Sequence, residues 1–190
     1  MPSPATDTAH IRTLALVGPQ GAGKTSLAEA LLARAGAIGT AGSLERGSTV
    51  SDFDPLERMM QHSLNAAVMH FEHAGTRVHL IDTPGASDFI GQSLPALEAV
   101  ETAVVVINAA NWTLGGIDAM AVRMMDYAAQ RKLDRMLVIN KIDAAAVDLA
   151  GLLSDIQATF GRECLPLNLP DAGGSRVVDC FFNQIGRAHV

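Results

Sequence analysis

The chain has 190 residues, 48% of them hydrophobic, and a formal net charge of −6. That is enough apolar material for a single α/β core, with no stretch long enough to cross a membrane, and the acidic balance argues against a broad basic face gripping bare nucleic acid, so neither a membrane nor direct DNA binding is expected. Residues 1–10 are expected to be a frayed terminus without an export signal, and Cys164 and Cys180, which have no close pairing, small core residues of a cytoplasmic protein.

The first element is the apolar run Leu14-Ala15-Leu16-Val17, read as a strand. It leads into Gly18-Pro19-Gln20-Gly21-Ala22-Gly23-Lys24-Thr25 and then a helical stretch with Ala28, Leu31 and Leu32 on one face. Strand, glycine loop and helix in this order make a phosphate-binding loop. The glycines let backbone N–H groups approach phosphates, the helix directs its positive end at them, and Lys24 adds a full charge near the β and γ oxygens. Thr25 would offer its hydroxyl to Mg²⁺, so the chain is read as binding a nucleoside triphosphate.

Gly36 to Gln61 is rich in Gly, Ser, Thr and charge without firm periodicity, and reads as a mobile loop longer than ordinary connections. Ser63 to His73 alternates, with Ala67, Met69 and Phe71 on one face, and pairs across Ala74-Gly75 with Thr76 to Ile81 as a hairpin. That second strand ends in Asp82-Thr83-Pro84-Gly85. Asp82 is placed to hold Mg²⁺ through a water, and Gly85 can offer its backbone N–H to the γ-phosphate, so this loop can sense whether that phosphate is present. His70, His73 and His79 fit no zinc spacing and are expected at the surface or on an edge strand.

Phe89 to Val100 reads as a helix with Pro95 as a kink point. Ala103 to Ile107 reads as a buried strand, and Ile117, Met120, Ala121, Met124 and Met125 as a core-facing helical stripe. Arg135 to Ile139 is a further buried strand, and Asn140-Lys141-Ile142-Asp143 sits at its carboxyl end, where open α/β sheets hold ligand-contacting residues. The Asp143 carboxylate can accept two hydrogen bonds from the N1–H and exocyclic amine of guanine, a donor pair that adenine lacks on that edge. Downstream of a phosphate loop, the tetrapeptide selects GTP. Val147 to Phe160 is another helix, followed by a short strand near Leu165. The fold class is α/β: a P-loop NTPase with a mainly parallel sheet flanked by helices on both faces.

The phosphate loop, Asp82-Thr83-Pro84-Gly85 and Asn140-Lys141-Ile142-Asp143 together resemble the GTPase domain of translational GTPases, most nearly elongation factor G and its elongation-factor-G-like paralogues. The resemblance continues through Asp88-Phe89 and through Leu165-Pro166-Leu167-Asn168-Leu169-Pro170 before Val177-Val178-Asp179, and covers Ile11 to Asn183. It implies GTP and GDP binding with Mg²⁺, hydrolysis of GTP that drives a conformational switch, and a ribosome partner reached through a full-length parent. The nucleotide contacts it implies are Gly18, Gly21, Ala22, Gly23, Lys24, Thr25, Ser26, Asp82, Gly85, Asn140, Lys141 and Asp143. Ala172, in a shortened loop, is the implied backbone donor to the base. Thr25, Ser63 and Asp82 are the implied metal ligands, and Lys24 and Gly85 the implied catalytic positions.

The chain departs from the family pattern in three places. Gly21 stands where the family usually has Asp. Met60-Gln61-His62-Ser63-Leu64 stands where the family usually shows Arg-Gly-Ile-Thr-Ile, so Ser63 keeps a hydroxyl for the metal while Thr49 is a rival in the same loop. Ala86 stands where elongation factors carry the His that orients the attacking water, so slow intrinsic turnover is expected. A GTP-dependent binding module with negligible hydrolysis, or a ribosomal-protection factor, is the alternative. The expected GTP-binding domain is 11–183, cut at its carboxyl end. Residues 184–190 are expected to be a non-native tail, because Ile185-Gly186-Arg187-Ala188-His189-Val190 is one in-frame translation of a widely used sequencing adapter.

Overall fold

The computed structural model describes residues 7–112, 116–144, 147–171 and 176–180. Ala172 and the 184–190 tail lie outside the described residues. The chain divides into two compact units, one of residues 1–108 and 118–140 and one of residues 109–117 and 141–190.

The first unit is built on strands β1 (Ile11–Val17), β2 (Ala67–His73), β3 (Thr76–Asp82), β4 (Thr102–Asn108) and β5 (Asp134–Asn140), in the order β2-β3-β1-β4-β5. Every neighbouring pair is parallel except the β2–β3 hairpin. In that hairpin Ala74 and Gly75 have φ of 49° and 77°, the double left-handed turn that matches strand twist. His70 and His79 face each other across it, 6.0 Å apart between ring centroids. Central strand β4 is buried from Ala103 to Asn108, as expected of a parallel strand covered on both faces. Parallel pairing brings the carboxyl ends of β1, β3, β4 and β5 to one edge, where an open α/β sheet binds ligands.

Helices α1 (Lys24–Arg34), α2 (Pro55–Met60), α3 (Ile90–Glu98) and α4 (Ala119–Gln130) complete this unit. Ala28 and Leu32 of α1 pack in one cluster with Leu16, Leu80, Val104 and Val106. Burying each such leucine contributes about 1.5–3 kcal/mol, so α1 is anchored on the sheet independently of any ligand. Pro95 lies inside α3, which runs on to Glu98. In α4 the Asp118 side chain accepts from Met120 N, and Ala121, Met124, Met125 and Ala128 form the buried face. Ile117 precedes the helix rather than extending the expected stripe. At the start of the chain, Thr8–His10 form one 3-10 turn capped by Asp7, where fraying was expected.

In the second unit, α5 (Leu149–Phe160) is capped by Asp148, and the Trp112 indole donates to Asp155 at 3.0 Å. Strands β6 (Asn168–Asp171) and β7 (Arg176–Asp179) pair antiparallel. The strand expected near Leu165 therefore begins three residues later. Leu165 is 73% exposed, and Pro166 has no N–H to give a ladder. Cys164 and Cys180 are half-buried rather than core residues. Among the described residues no helix is long and apolar enough to cross a membrane.

Candidate functional site

The loop between β1 and α1 owes its path to three glycines with φ of 130°, 75° and 92° at Gly18, Gly21 and Gly23. Such values are strained for any other residue. A Cβ at Gly18 would also lie 2.5 Å from the Val106 carbonyl oxygen. Side-chain amides fasten the loop from the sheet edge: Asn140 donates to the Ala22 carbonyl at 2.9 Å and Asn108 to the Gly21 carbonyl at 3.3 Å. Gly23 caps α1 without a side chain, leaving the first-turn N–H groups free of a side-chain cap. Ser26 is exposed in that turn.

Lys24 is 5% exposed, and its ammonium donates to the Gly18 and Pro19 carbonyls, each at 2.9 Å. Burial pushes the Lys24 ammonium down to about 8, with the Asp82 charge partly opposing the fall. Gly85 sits against this group, since a Cβ there would overlap Lys24 Nζ and lie 2.7 Å from Gln20 N. The segment leading to Gly85 is pinned by the Thr83 hydroxyl, which donates to the Leu16 carbonyl at 2.8 Å, and by Ser93, which donates to the Pro84 carbonyl at 3.0 Å.

Thr25, at the start of α1, and Asp82, at the end of β3, meet: the Thr25 hydroxyl donates to Asp82 Oδ2 at 2.6 Å. Ser63 Oγ lies 3.3 Å from Thr25 Oγ1 and donates to Asp52 Oδ1 at 2.8 Å. Thr49 donates to the other Asp52 oxygen at 2.8 Å. Asp82 Oδ1 is buried with no hydrogen-bond partner. Burial pushes the Asp82 carboxyl up to about 6, Asp52 adding to the rise and the Thr25 hydrogen bond, the Lys24 charge and the neighbouring Ser51 hydroxyl opposing it. These oxygens are hard donors of the kind Mg²⁺ takes, and an orphaned buried carboxylate oxygen beside them fits a cation. Among the described residues no three His, Cys, Asp or Glu side chains converge as a metal site. A cation here would thus depend on hydroxyl and ligand oxygens as well as carboxylates, as Mg²⁺ commonly does beside phosphates.

The segment expected as an unstructured loop is instead organised by three buried carboxylates that motif reading missed. Glu29 of α1 accepts from Gly42 N at 2.8 Å and also from Val50 N. Glu57 accepts from Leu64 N at 2.8 Å and Asn65 N at 2.9 Å, and closes a capping box with Asp54 at the start of α2. Asp52 holds Thr49 and Ser63, as described. The spacing Asp54-Pro55-Leu56-Glu57 carries the signal for α2, with a cap, a proline at the first turn and Glu at the third position. Glu29 acts across 13 and 21 residues and carries no local signal, whereas Asp52 reaches Thr49 three residues away and Ser63 eleven away.

Lys24, Thr25, Ser63 and Gly85 line one cleft of about 150 Å³, together with Gln20, Gln61, His62 and Ala86. His62 Nδ1 is buried and has no hydrogen-bond partner. Lys141 and Asp143 are exposed residues at the start of the second unit's main segment, and Lys141 has φ of 58°.

A model of the elongation factor Tu GTP binding domain matches residues 9–184. The chain belongs to that family. Its relatives include an elongation factor G-like protein of Mycobacterium tuberculosis, 40% identical over 86% of this chain and 22% of that protein. Peptide chain release factor 3 of Symbiobacterium thermophilum is 32% identical over 94% of this chain and 34% of its own length. A crystal structure of a Thermus thermophilus protein superposes with a TM-score of 0.83 at 38% identity, over 91% of this chain and 26% of that one. The chain is thus a translational-type GTP-binding domain with the mainly parallel, helix-flanked sheet of its fold class. It spans between about a fifth and a third of these relatives.

Proposed function

We propose that this domain, residues 11–183, binds GTP and Mg²⁺ and hydrolyses the nucleotide to GDP and phosphate, serving as the switch of an elongation-factor-G-like protein that works on the ribosome in the cytoplasm. The observation that carries the reading is the meeting of Lys24, Thr25, Ser63 and Asp82 beside Gly85, from three separate segments. Lys24 would exchange its two loop carbonyls for phosphate oxygens. The backbone N–H groups at Gly21, Ala22 and Gly23 and the first turn of α1 would hold the remaining phosphate charge. Thr25 and Ser63 would hold Mg²⁺ by their hydroxyls and Asp82 through a water; the bound ion supplies neutralisation of charge on the β and γ oxygens. Gly85 would give its N–H to the γ-phosphate, while Asp143 reads guanine, with Asn140 supporting the loop and Lys141 beside the base.

Hydrolysis adds water to the γ-phosphorus and breaks the bond to the bridging oxygen, whose electron pair leaves on GDP. One water proton stays on the phosphate and the other goes to solvent. Loss of phosphate removes the partner of Gly85, which would release the segment packed on the loop. Calorimetry with Lys24→Ala tests the reading: GTP and GDP affinity should both fall severely, since the only loop cation is gone. Unchanged affinity for both nucleotides would refute it. Ala86 favours a second reading, in which bound GTP mainly holds a conformation and turnover is slow. Whether ribosomes accelerate hydrolysis by the full-length parent separates the two.

A further inference from the structure

The position that would orient the attacking water is a methyl group at Ala86, yet the same cleft carries an imidazole from a different segment. We infer that His62 takes over this task and positions the attacking water for GTP hydrolysis, an inference that rests on the GTPase reading above.

Three observations lead to His62. Its ring lines the cleft with Lys24, Gly85 and Ala86, so it borders the space next to the γ-phosphate contacts. The cleft holds about 150 Å³, far above the roughly 10–15 Å³ that one water needs. Its Nδ1 is a buried nitrogen without a partner, closed to water from the cleft, which leaves Nε2 as the ring nitrogen that would meet a water there. The ring is also held in place: the next residue, Ser63, is tied to Asp52, and the imidazole packs on Phe89 at 6.5 Å between centroids, tilted by 39°. Phe89 follows Gly85 on the segment that would contact the γ-phosphate, so the ring is held both by its own segment and by that one.

A neutral imidazole with its proton on one nitrogen accepts a hydrogen bond at the other. Accepting from water, it would fix the direction of the oxygen lone pair that attacks the γ-phosphorus, with bonds and protons balanced as above and the imidazole unchanged at the end. Gln20 and Gln61 line the same cleft and are the rivals for the task.

The test is single-turnover hydrolysis of γ-labelled GTP by the 190-residue chain with Mg²⁺, with GTP affinity measured in parallel. His62→Ile introduces the residue that the family pattern carries at this place, which guards against simple misfolding. It should slow hydrolysis at least about tenfold while leaving GTP affinity within about threefold. His62→Asn and His62→Gln put an amide near one or the other ring nitrogen, and at least one should recover part of the lost rate. Equal rates in the wild type and His62→Ile would overturn the inference, as would affinity and rate falling together, or a loss that appears on Gln20→Ala or Gln61→Ala instead. Failure of the wild type to bind GTP would refute the GTPase reading itself, a result distinct from any of these.

Discussion

Replacing Asp82 by Asn should make the nucleotide-free protein more stable and at the same time abolish its response to Mg²⁺. The carboxyl is 1% exposed, one oxygen accepts from Thr25 and the other has no partner. Burial lifts it from 3.8 to about 6. Below 3.8 it is protonated whether the chain is folded or not, and folding carries no charge cost. Above about 6 it is ionised in both states, and the full cost of burying the charge is present, so stability falls as pH rises between those values. At 1.36 kcal/mol per pH unit that cost is about 3 kcal/mol at pH 7.5. Asparagine keeps an acceptor for Thr25 and removes the charge, but it also deprives Lys24 of its countercharge. The net gain should be about 1–2 kcal/mol at pH 7.5 and should vanish toward pH 4. Urea unfolding at the two pH values, without nucleotide, measures this. Titration of Mg²⁺ at fixed GTP should show the affinity gain of the wild type and none in the variant. A variant less stable at pH 7.5, or one that retains its Mg²⁺ response, would show that Asp82 is neither an uncompensated buried charge nor part of a cation site.

Lys24, with its ammonium at about 8, should take up roughly half a proton when GTP binds at pH 8 and almost none at pH 6.5, because phosphate restores the charged form; calorimetry in buffers of different ionisation enthalpy reads this, and equal uptake at both pH values would contradict it. Gly85→Ala places a methyl against Lys24 Nζ and the backbone of Gln20, so GTP affinity should fall at least about tenfold and GDP affinity much less, a contrast of about 1.4 kcal/mol or more; parallel losses would remove Gly85 from γ-phosphate sensing. Asp143→Asn should shift preference from GTP toward XTP, since the amide offers a donor where xanthine carries a carbonyl, and a variant that selects GTP as strongly as before would remove Asp143 as the base reader.

The parts of this chain that were legible in its sequence are those whose conformation is decided locally. Three glycines in the phosphate loop specify its path because only glycine readily takes their φ values, and Ala74-Gly75 between two alternating runs specifies the hairpin. The region from Gly36 to Gln61 was opaque for the opposite reason. Two of its backbone N–H groups, those of Gly42 and Val50, go to Glu29 of α1, so part of its order is a tertiary fact without periodicity to read. His62 was hidden in the same way: its sequence neighbours do not show that it shares a cleft with Ala86. The strand expected near Leu165 starts only at Asn168, beyond Pro166, which cannot donate to a ladder.

Two hydroxyls, Thr49 and Ser63, competed in the sequence for one role beside the metal, and the geometry gives them different work. Asp52 uses one oxygen on each. Thr49 is 3% exposed and commits its proton to that carboxylate, whereas Ser63 also lies within 3.3 Å of Thr25, whose own hydroxyl is committed to Asp52's counterpart, Asp82. In the proposed site Thr49 would act by fixing Asp52, while Ser63 lies between Asp52 and Thr25. Because His62 is the residue before Ser63, whatever holds Ser63 toward Thr25 also sets the imidazole in the cleft. Metal binding and water positioning would then share one short peptide. With Ala86 in place of the family's His, both functions would be coupled through Asp52, on a segment separate from Gly85.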